Sequence, residues 1–220
     1  NETAGVAIEG NYGALTNHGT VRMENVKIVS TSTFIIDEWD SFYPACAYYG
    51  DATATITTIQ NCELHANRNA ALYQSNGKME KLSDSVFESS AKSAAVFLEG
   101  MGDQHYGTIE NCTITMQCDD PESSAAALEV YCSTLESVTG CTITGPDGIL
   151  LHDFGSGDNI SPEIRTLNST VVGTNGYAIR TTPDLSDYGD LYKDRKAVIN
   201  FTGGKYKGAK GVEELVGSAT

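Results

Sequence analysis

Hydrophobic positions in this chain fall into a short phrase that is rewritten along its length. "RMENVKIV" (22–29), "TIQNCELH" (58–65), "TIENCTIT" (108–115) and "SVTGCTIT" (137–144) share one order: an apolar residue, a turn-former, a small residue and a second apolar residue. Aligned on the first apolar residue, the phrase opens at Met23, Ile59, Leu82, Ile109, Val138, Leu167 and Phe201. Three residues on stand Val26, Cys62, Ser85, Cys112, Cys141, Thr170 and Gly204. Two further on stand Ile28, Leu64, Phe87, Ile114, Ile143, Val172 and Tyr206. Another apolar residue precedes most openers by three: Ile56, Met79, Tyr106, Leu135, Ile164 and Val198. A period of about 20–50 residues points to a repeat architecture.

The sustained three-and-four spacing of a helix is missing. Apolar residues two apart, with β-branched residues and Thr, read as short strands. The column before the small residue is Asn25, Asn61, Asp84, Asn111, Gly140, Ser169 and Gly203. Asn, Asp and Gly tolerate a left-handed backbone, so this column predicts a sharp bend at one place in every repeat. Second strands are predicted in "AALYQ" (70–74), "AAVFLE" (94–99), "AALEVY" (126–131), "GILLHD" (148–153) and "YAIRT" (177–181). Strand, bend, strand, loop, strand predicts an all-β parallel solenoid whose inward side chains form ladders. Asn25, Asn61 and Asn111 at the bend, Cys62, Cys112 and Cys141 beside them, and the Ile/Leu ladders resemble a pectate-lyase-like right-handed parallel β-helix. The resemblance spans roughly residues 19 to 208 and implies one domain, 1–220, of roughly seven coils. It implies architecture and leaves activity to be argued from a site.

Composition narrows the partners. A formal charge of −15, from 29 acidic against 14 basic residues, opposes nucleic acid and anionic lipid. No apolar run approaches the ~20 residues of a membrane span, so membrane insertion is not expected. Six cysteines without a Cys-x-x-Cys pair make a zinc site of ordinary spacing improbable. Cys62, Cys112 and Cys141 exchange with small residues in one inward column and read as buried thiols. Cys118 and Cys132, flanking "DDPESSAAALEVY", are the pair best placed for a disulfide, and that pairing stays open. The sequons at Asn111, Asn168 and Asn200 arise largely from the bend and the Thr-rich strands, so glycosylation is not expected.

The resemblance also implies what catalysis on this fold requires. A lyase needs a metal or cation to neutralise a uronate carboxylate and a base to take the adjacent proton, and calcium would be its cofactor. An inverting hydrolase needs two carboxyl groups about 6.5–9.5 Å apart. The hydrolase pattern of Asn-Thr-Asp, Asp-Asp, Gly-His-Gly and Arg-Ile-Lys is absent. Asp119-Asp120 stands alone before Pro121, and "FIIDEWDS", with Asp37, Glu38 and Asp40 around Trp39, lacks the His of the lyase stretch.

The second strands carry the candidate binding surface. Alternation predicts that Tyr73, Phe97, Glu129, Leu151 and Arg180 face outward together, followed by Ser75, Glu99, Tyr131, Asp153 and Thr182. Such aromatics, carboxylates and one Arg suit a sugar chain, because rings stack on pyranose faces and carboxylates accept from hydroxyls. The competing reading is an ordinary packing layer beneath long loops. His65, His105 and His152 share no metal spacing, so no metal site is expected, and His152-Asp153 is the one pair to test. The glycan-binding candidates are thus Trp39, Tyr73, Glu99, Glu129, Tyr131, His152, Asp153 and Arg180.

The aromatic segment "DEWDSFYPACAYYGDAT" is expected to cover this ridge or meet a partner, and "TTPDLSDYGDLYKDRK" interrupts the last coils. The tail "KGVEELVGSAT" predicts a short capping helix. The β-like N-terminus, with no signal sequence visible, is expected to continue an earlier coil of a larger parent protein. Two functions follow as expectations. One is a secreted or cell-surface bacterial module, adhesin-like or glycan-binding and non-catalytic. The alternative is a lyase or glycoside hydrolase acting on an acidic polysaccharide.

Overall fold

The computed structural model of the chain describes residues 6–10, 14–32, 45–90, 94–101, 103–118, 125–153, 161–183 and 197–215. These residues form twenty-one strands, numbered here in chain order, and no helix. Every strand pairing among them is parallel.

The phrase openers lie on β3 (Thr20–Glu24), β6 (Thr55–Gln60), β10 (Lys81–Ser83) and β13 (His105–Glu110). The residues after the bend form β4 (Val26–Ser30), β7 (Glu63–Ala66), β11 (Val86–Ser89) and β14 (Thr113–Met116), and β1 (Val6–Gly10) pairs with β4. Later strands β16 (Thr134–Gly145), β18 (Glu163–Gly173) and β20 (Val198–Gly208) run through the bend unbroken and join both sets into one curled sheet, with β9 (Lys78–Met79) paired to β6. The second sheet holds, side by side, β2 (Leu15–Asn17), β5 (Tyr48–Gly50), β8 (Leu72–Ser75), β12 (Val96–Glu99), β15 (Ala126–Tyr131), β17 (Asp147–Asp153), β19 (Tyr177–Pro183) and β21 (Gly211–Leu215). The chain passes from the second sheet through the bend and back, one strand further along each time. This is compatible with a parallel β-helix or solenoid.

The bend takes the predicted conformation. Asn25, Asn61, Asp84 and Asn111 have φ of 57°, 51°, 51° and 53°, and Gly140 has 66°. Only residues with a short polar side chain or none hold this region cheaply. The side-chain amides also bridge repeats: Asn111 Nδ2 donates to Asp84 Oδ1 at 3.3 Å, and Asn61 donates to Asn25.

Burial follows the ladders. The opener column pairs in register from Met23 through Ile59, Leu82, Ile109, Val138 and Leu167 to Phe201. All but Phe201 are buried, each contributing on the order of 1.5–3 kcal/mol. The small column beside the bend closes its own hydrogen bonds. The amides of Cys62, Cys112 and Cys141 donate to Ser85 Oγ at 3.0 Å, Cys141 Sγ at 3.4 Å and Ser169 Oγ at 3.1 Å. All six cysteines are free thiols, so Cys118 and Cys132 are not bridged.

Three ladder positions differ from the sequence alignment by one residue. Val171, not Val172, pairs with Ile143 and Tyr206, and Ile199, not Val198, pairs with Ile164. Ser169, not Thr170, occupies the cysteine column. For Val171 and Ser169 the cause is a register shift between Thr139 and Thr142, where Gly140 and Cys141 together oppose Ser169 alone, and for Ile199 it is a separate shift between Ile164 and Leu167. The tail also differs: Gly211–Leu215 is a strand paired with β19 and not part of a helix. Extending the second sheet satisfies one edge of its backbone, which an isolated turn of helix would not.

Candidate functional site

Strand alternation in the second sheet sends Tyr48, Leu72, Val96, Leu128, Ile149 and Ile179 into the main core. Their successors line the opposite face: Tyr49, Tyr73, Phe97, Glu129, Leu150 and Arg180 in one register column. Two residues on, Ser75, Glu99, Tyr131, His152 and Thr182 make the next column. Tyr73, Glu129 and Arg180 thus share one expected column and Glu99 and Tyr131 the other, where His152 stands in the place expected of Asp153.

Two expected members do not join them. Leu151 and Asp153 have the inward phase, and Leu150 and His152 take the outward positions. Asp153 is buried at the end of its strand, registered with Pro183, and its Oδ2 lies 3.5 Å from Ser161 Oγ. The run Ile149-Leu150-Leu151 has no polar residue to mark the phase, and a one-residue slip flips every side chain. Trp39, with Asp37, Glu38, Asp40, Phe42, Tyr43, Asp119 and Asp120, lies outside the described residues.

One end of the ridge is a second hydrophobic layer. Tyr49 and Tyr73 rings sit 5.4 Å apart, and Tyr73 stacks on Phe97 at 4.8 Å with 9° between planes. With Cys46, Ala70 and Ala94 they form a buried cluster separate from the main core. Tyr73 is only 4% exposed, so its ring face is not open to a ligand. Its hydroxyl and that of Ser75 both donate to Glu99 Oε2 at 2.5 Å, fixing that carboxylate at the cluster's rim.

The other end is more open. Tyr131 meets Phe97 edge-on at 6.0 Å and His152 edge-on at 4.7 Å. His152 Nδ1 lies 2.9 Å from Glu129 Oε1, and the His152 side chain is 31% exposed. Tyr131, His152, Glu99 and Glu129 therefore form a half-buried patch of two rings between two carboxylates. Arg180 is drawn away from it. Its Nη1 donates to Asp147 Oδ2 at 2.8 Å, and Asp147 Oδ1 accepts the Tyr177 amide at 2.7 Å. Asp147 is 1% exposed, so Arg180 mainly neutralises a buried carboxylate. Asp147 stands three residues before Arg180's register partner Leu150, and nothing in "GPDGIL" marks it as that partner.

The other histidines sit against surface acids. His65 Nδ1 is 3.0 Å from Glu88, and His105 Nε2 is 2.8 Å from Asp103. Among the described residues, no three His, Cys, Asp or Glu side chains are grouped to hold a metal ion. No helix there is long and apolar enough to cross a membrane. The chain matches no protein-family model, and no match was found among curated proteins or solved structures.

Proposed function

We propose that the chain is a right-handed parallel β-helix of roughly seven coils, of the pectate-lyase-like kind. In this reading it is a secreted or cell-surface module of a bacterial protein that binds a glycan on the outer face of its second sheet without cleaving it. The right hand rests on the general preference of crossovers between parallel strands. The coil count rests on the opener column, which passes through seven registered residues from Met23 to Phe201.

The observation that carries the binding reading is the half-buried Tyr131–His152 edge contact, with Glu99 on one side and Glu129 on the other. Rings held by packing present apolar area to a sugar face with little entropy to lose, and carboxylates accept from its hydroxyls. Tyr73 serves this patch from the neighbouring cluster on the same face by orienting Glu99, and Arg180 is spent on Asp147.

One observation favours the second reading, a lyase or hydrolase of an acidic polysaccharide: Glu129 and His152 are an acid–base pair at hydrogen-bond distance. A panel of neutral, amino-bearing and uronate polysaccharides, each with and without calcium, separates the two. Binding to at least one of them, with no unsaturated or reducing ends above a buffer control, is expected. Product formation that disappears in Glu129→Gln would replace binding by catalysis, and neither binding nor product would remove both.

A further inference from the structure

Charge on the outer face of the second sheet is unevenly matched. Among the residues named above in its two outward columns, Arg180 is the only Lys or Arg, and its Nη1 is held 2.8 Å from Oδ2 of the buried Asp147. The acids of the same face are not neutralised in that way. Glu99 is the register neighbour of Tyr131, and Glu129 stands two residues before Tyr131 on β15. Two carboxylates there face one imidazole, so the patch stays anionic whether His152 is neutral or protonated.

Each carboxylate is held at one oxygen. Glu99 Oε2 accepts from the hydroxyls of Tyr73 and Ser75, both at 2.5 Å, and Glu129 Oε1 lies 2.9 Å from His152 Nδ1. Among the described residues no donor meets Glu99 Oε1 or Glu129 Oε2. Acceptors fixed in this way lose little freedom when a ligand arrives. The half-buried Tyr131 ring lies between them, and an aromatic ring attracts a cation as well as packing on a sugar.

We infer that the glycan taken by this patch is an amino-sugar polymer, with the protonated amines of glucosamine units set against Glu99 and Glu129 beside Tyr131. The inference rests on the glycan-binding reading above and narrows it. A uronate chain would bring carboxylates to a face that already carries two, on a molecule of net charge −15. It would also need cations, and Arg180 is engaged by Asp147. A neutral chain would gain the ring contact but give the open carboxylate oxygens no charged donor. An ammonium group meets both demands, because its charge-assisted N–H bonds to carboxylate are stronger than those of a hydroxyl.

Titration calorimetry of the 220-residue chain in mildly acidic, low-salt buffer tests this. The probes are tetramers of glucosamine, N-acetylglucosamine and galacturonic acid, with tetralysine as a cation that carries no sugar. The glucosamine tetramer is expected to bind roughly three- to thirty-fold more tightly than its acetylated form, and the galacturonate most weakly. Glu99→Gln and Glu129→Gln are each expected to narrow the first ratio about two- to five-fold, and added salt narrows it too. Equal affinity for the two glucosamine tetramers overturns the inference and leaves glycan binding standing, as does galacturonate binding that matches either. Tetralysine binding as tight as that of the glucosamine tetramer also overturns it, since the patch would then read charge without a sugar. No binding of any sugar overturns it as well, and the polysaccharide panel above then decides whether the glycan reading falls with it.

Discussion

Tyr73 and Phe97 stack nearly parallel at 4.8 Å, and from that buried position the Tyr73 hydroxyl still reaches Glu99 at 2.5 Å. Packing and polar orientation can therefore be separated by substitution. Tyr73→Phe keeps the stack and removes one donor to a carboxylate, costing about 2 kcal/mol in urea unfolding. Tyr73→Ala also opens a cavity and costs roughly 3–5 kcal/mol. No cost for Tyr73→Phe would mean that the hydroxyl contributes nothing, and equal costs would mean the same of the ring.

The bend column predicts a backbone effect. Asn111 holds φ of 53° and donates to Asp84 at 3.3 Å. Asn111→Ala forces a Cβ residue without a polar side chain into that region and costs about 1–2 kcal/mol. Asn111→Gly relieves the strain and recovers most of it, as a paired thermal melt will show. Identical midpoints for Ala and Gly would place the role of Asn111 in its side chain alone.

Thiol labelling reads the cysteine columns. Burial pushes the Cys46 thiol up to about 12. Cys112 is raised, first by its hydrogen bond to Cys141 and then by burial, and Cys141 is lowered by the same contact. Cys46, Cys62, Cys112, Cys132 and Cys141 are all covered, and Cys118 alone is half-exposed. At pH 8 an alkylating reagent is expected to modify Cys118 first, and the other five only on unfolding. Rapid modification of two or more sites in the folded protein, located by peptide mapping, would show that the columns open.

Alkaline stability follows from Tyr48. Burial raises its hydroxyl from 10.0 to about 12, partly offset by the Asn17 amide, which donates to it at 2.9 Å. Above pH 10 the unfolded chain gives up the proton while the folded chain keeps it. This contribution is therefore intact below pH 10 and declines as pH rises toward 12, by roughly 3 kcal/mol in all. Tyr48→Phe is expected to flatten the decline between pH 10 and 12 in denaturant midpoints. An unchanged slope would assign it to other groups.

The legible part of this fold was whatever repeated. All seven openers from Met23 to Phe201 fall in one register column because the bend residue marks the phase of each copy. Near Ser169 the bend has one residue fewer, and the alignment slipped where no Asn or Gly marked it. The ridge was legible in the same degree. Tyr73, Glu99, Glu129, Tyr131 and Arg180 sit where alternation puts them. Asp153 was misplaced because Ile149-Leu150-Leu151 reads apolar in both phases. What sequence could not give is burial on the outer face. Tyr73 and Tyr131 share that face, yet the first lies in a closed cluster and the second at its edge.

The most direct test of the binding account is titration calorimetry of wild type and Tyr131→Ala with the strongest-binding glycan of the panel, both proteins first shown to unfold at matching denaturant midpoints. Loss of the ring is expected to weaken binding about three- to ten-fold, in line with roughly 0.5–1.5 kcal/mol for a lost ring contact. Unchanged affinity in a folded Tyr131→Ala protein would contradict the account and move the site away from the Tyr131–His152 patch.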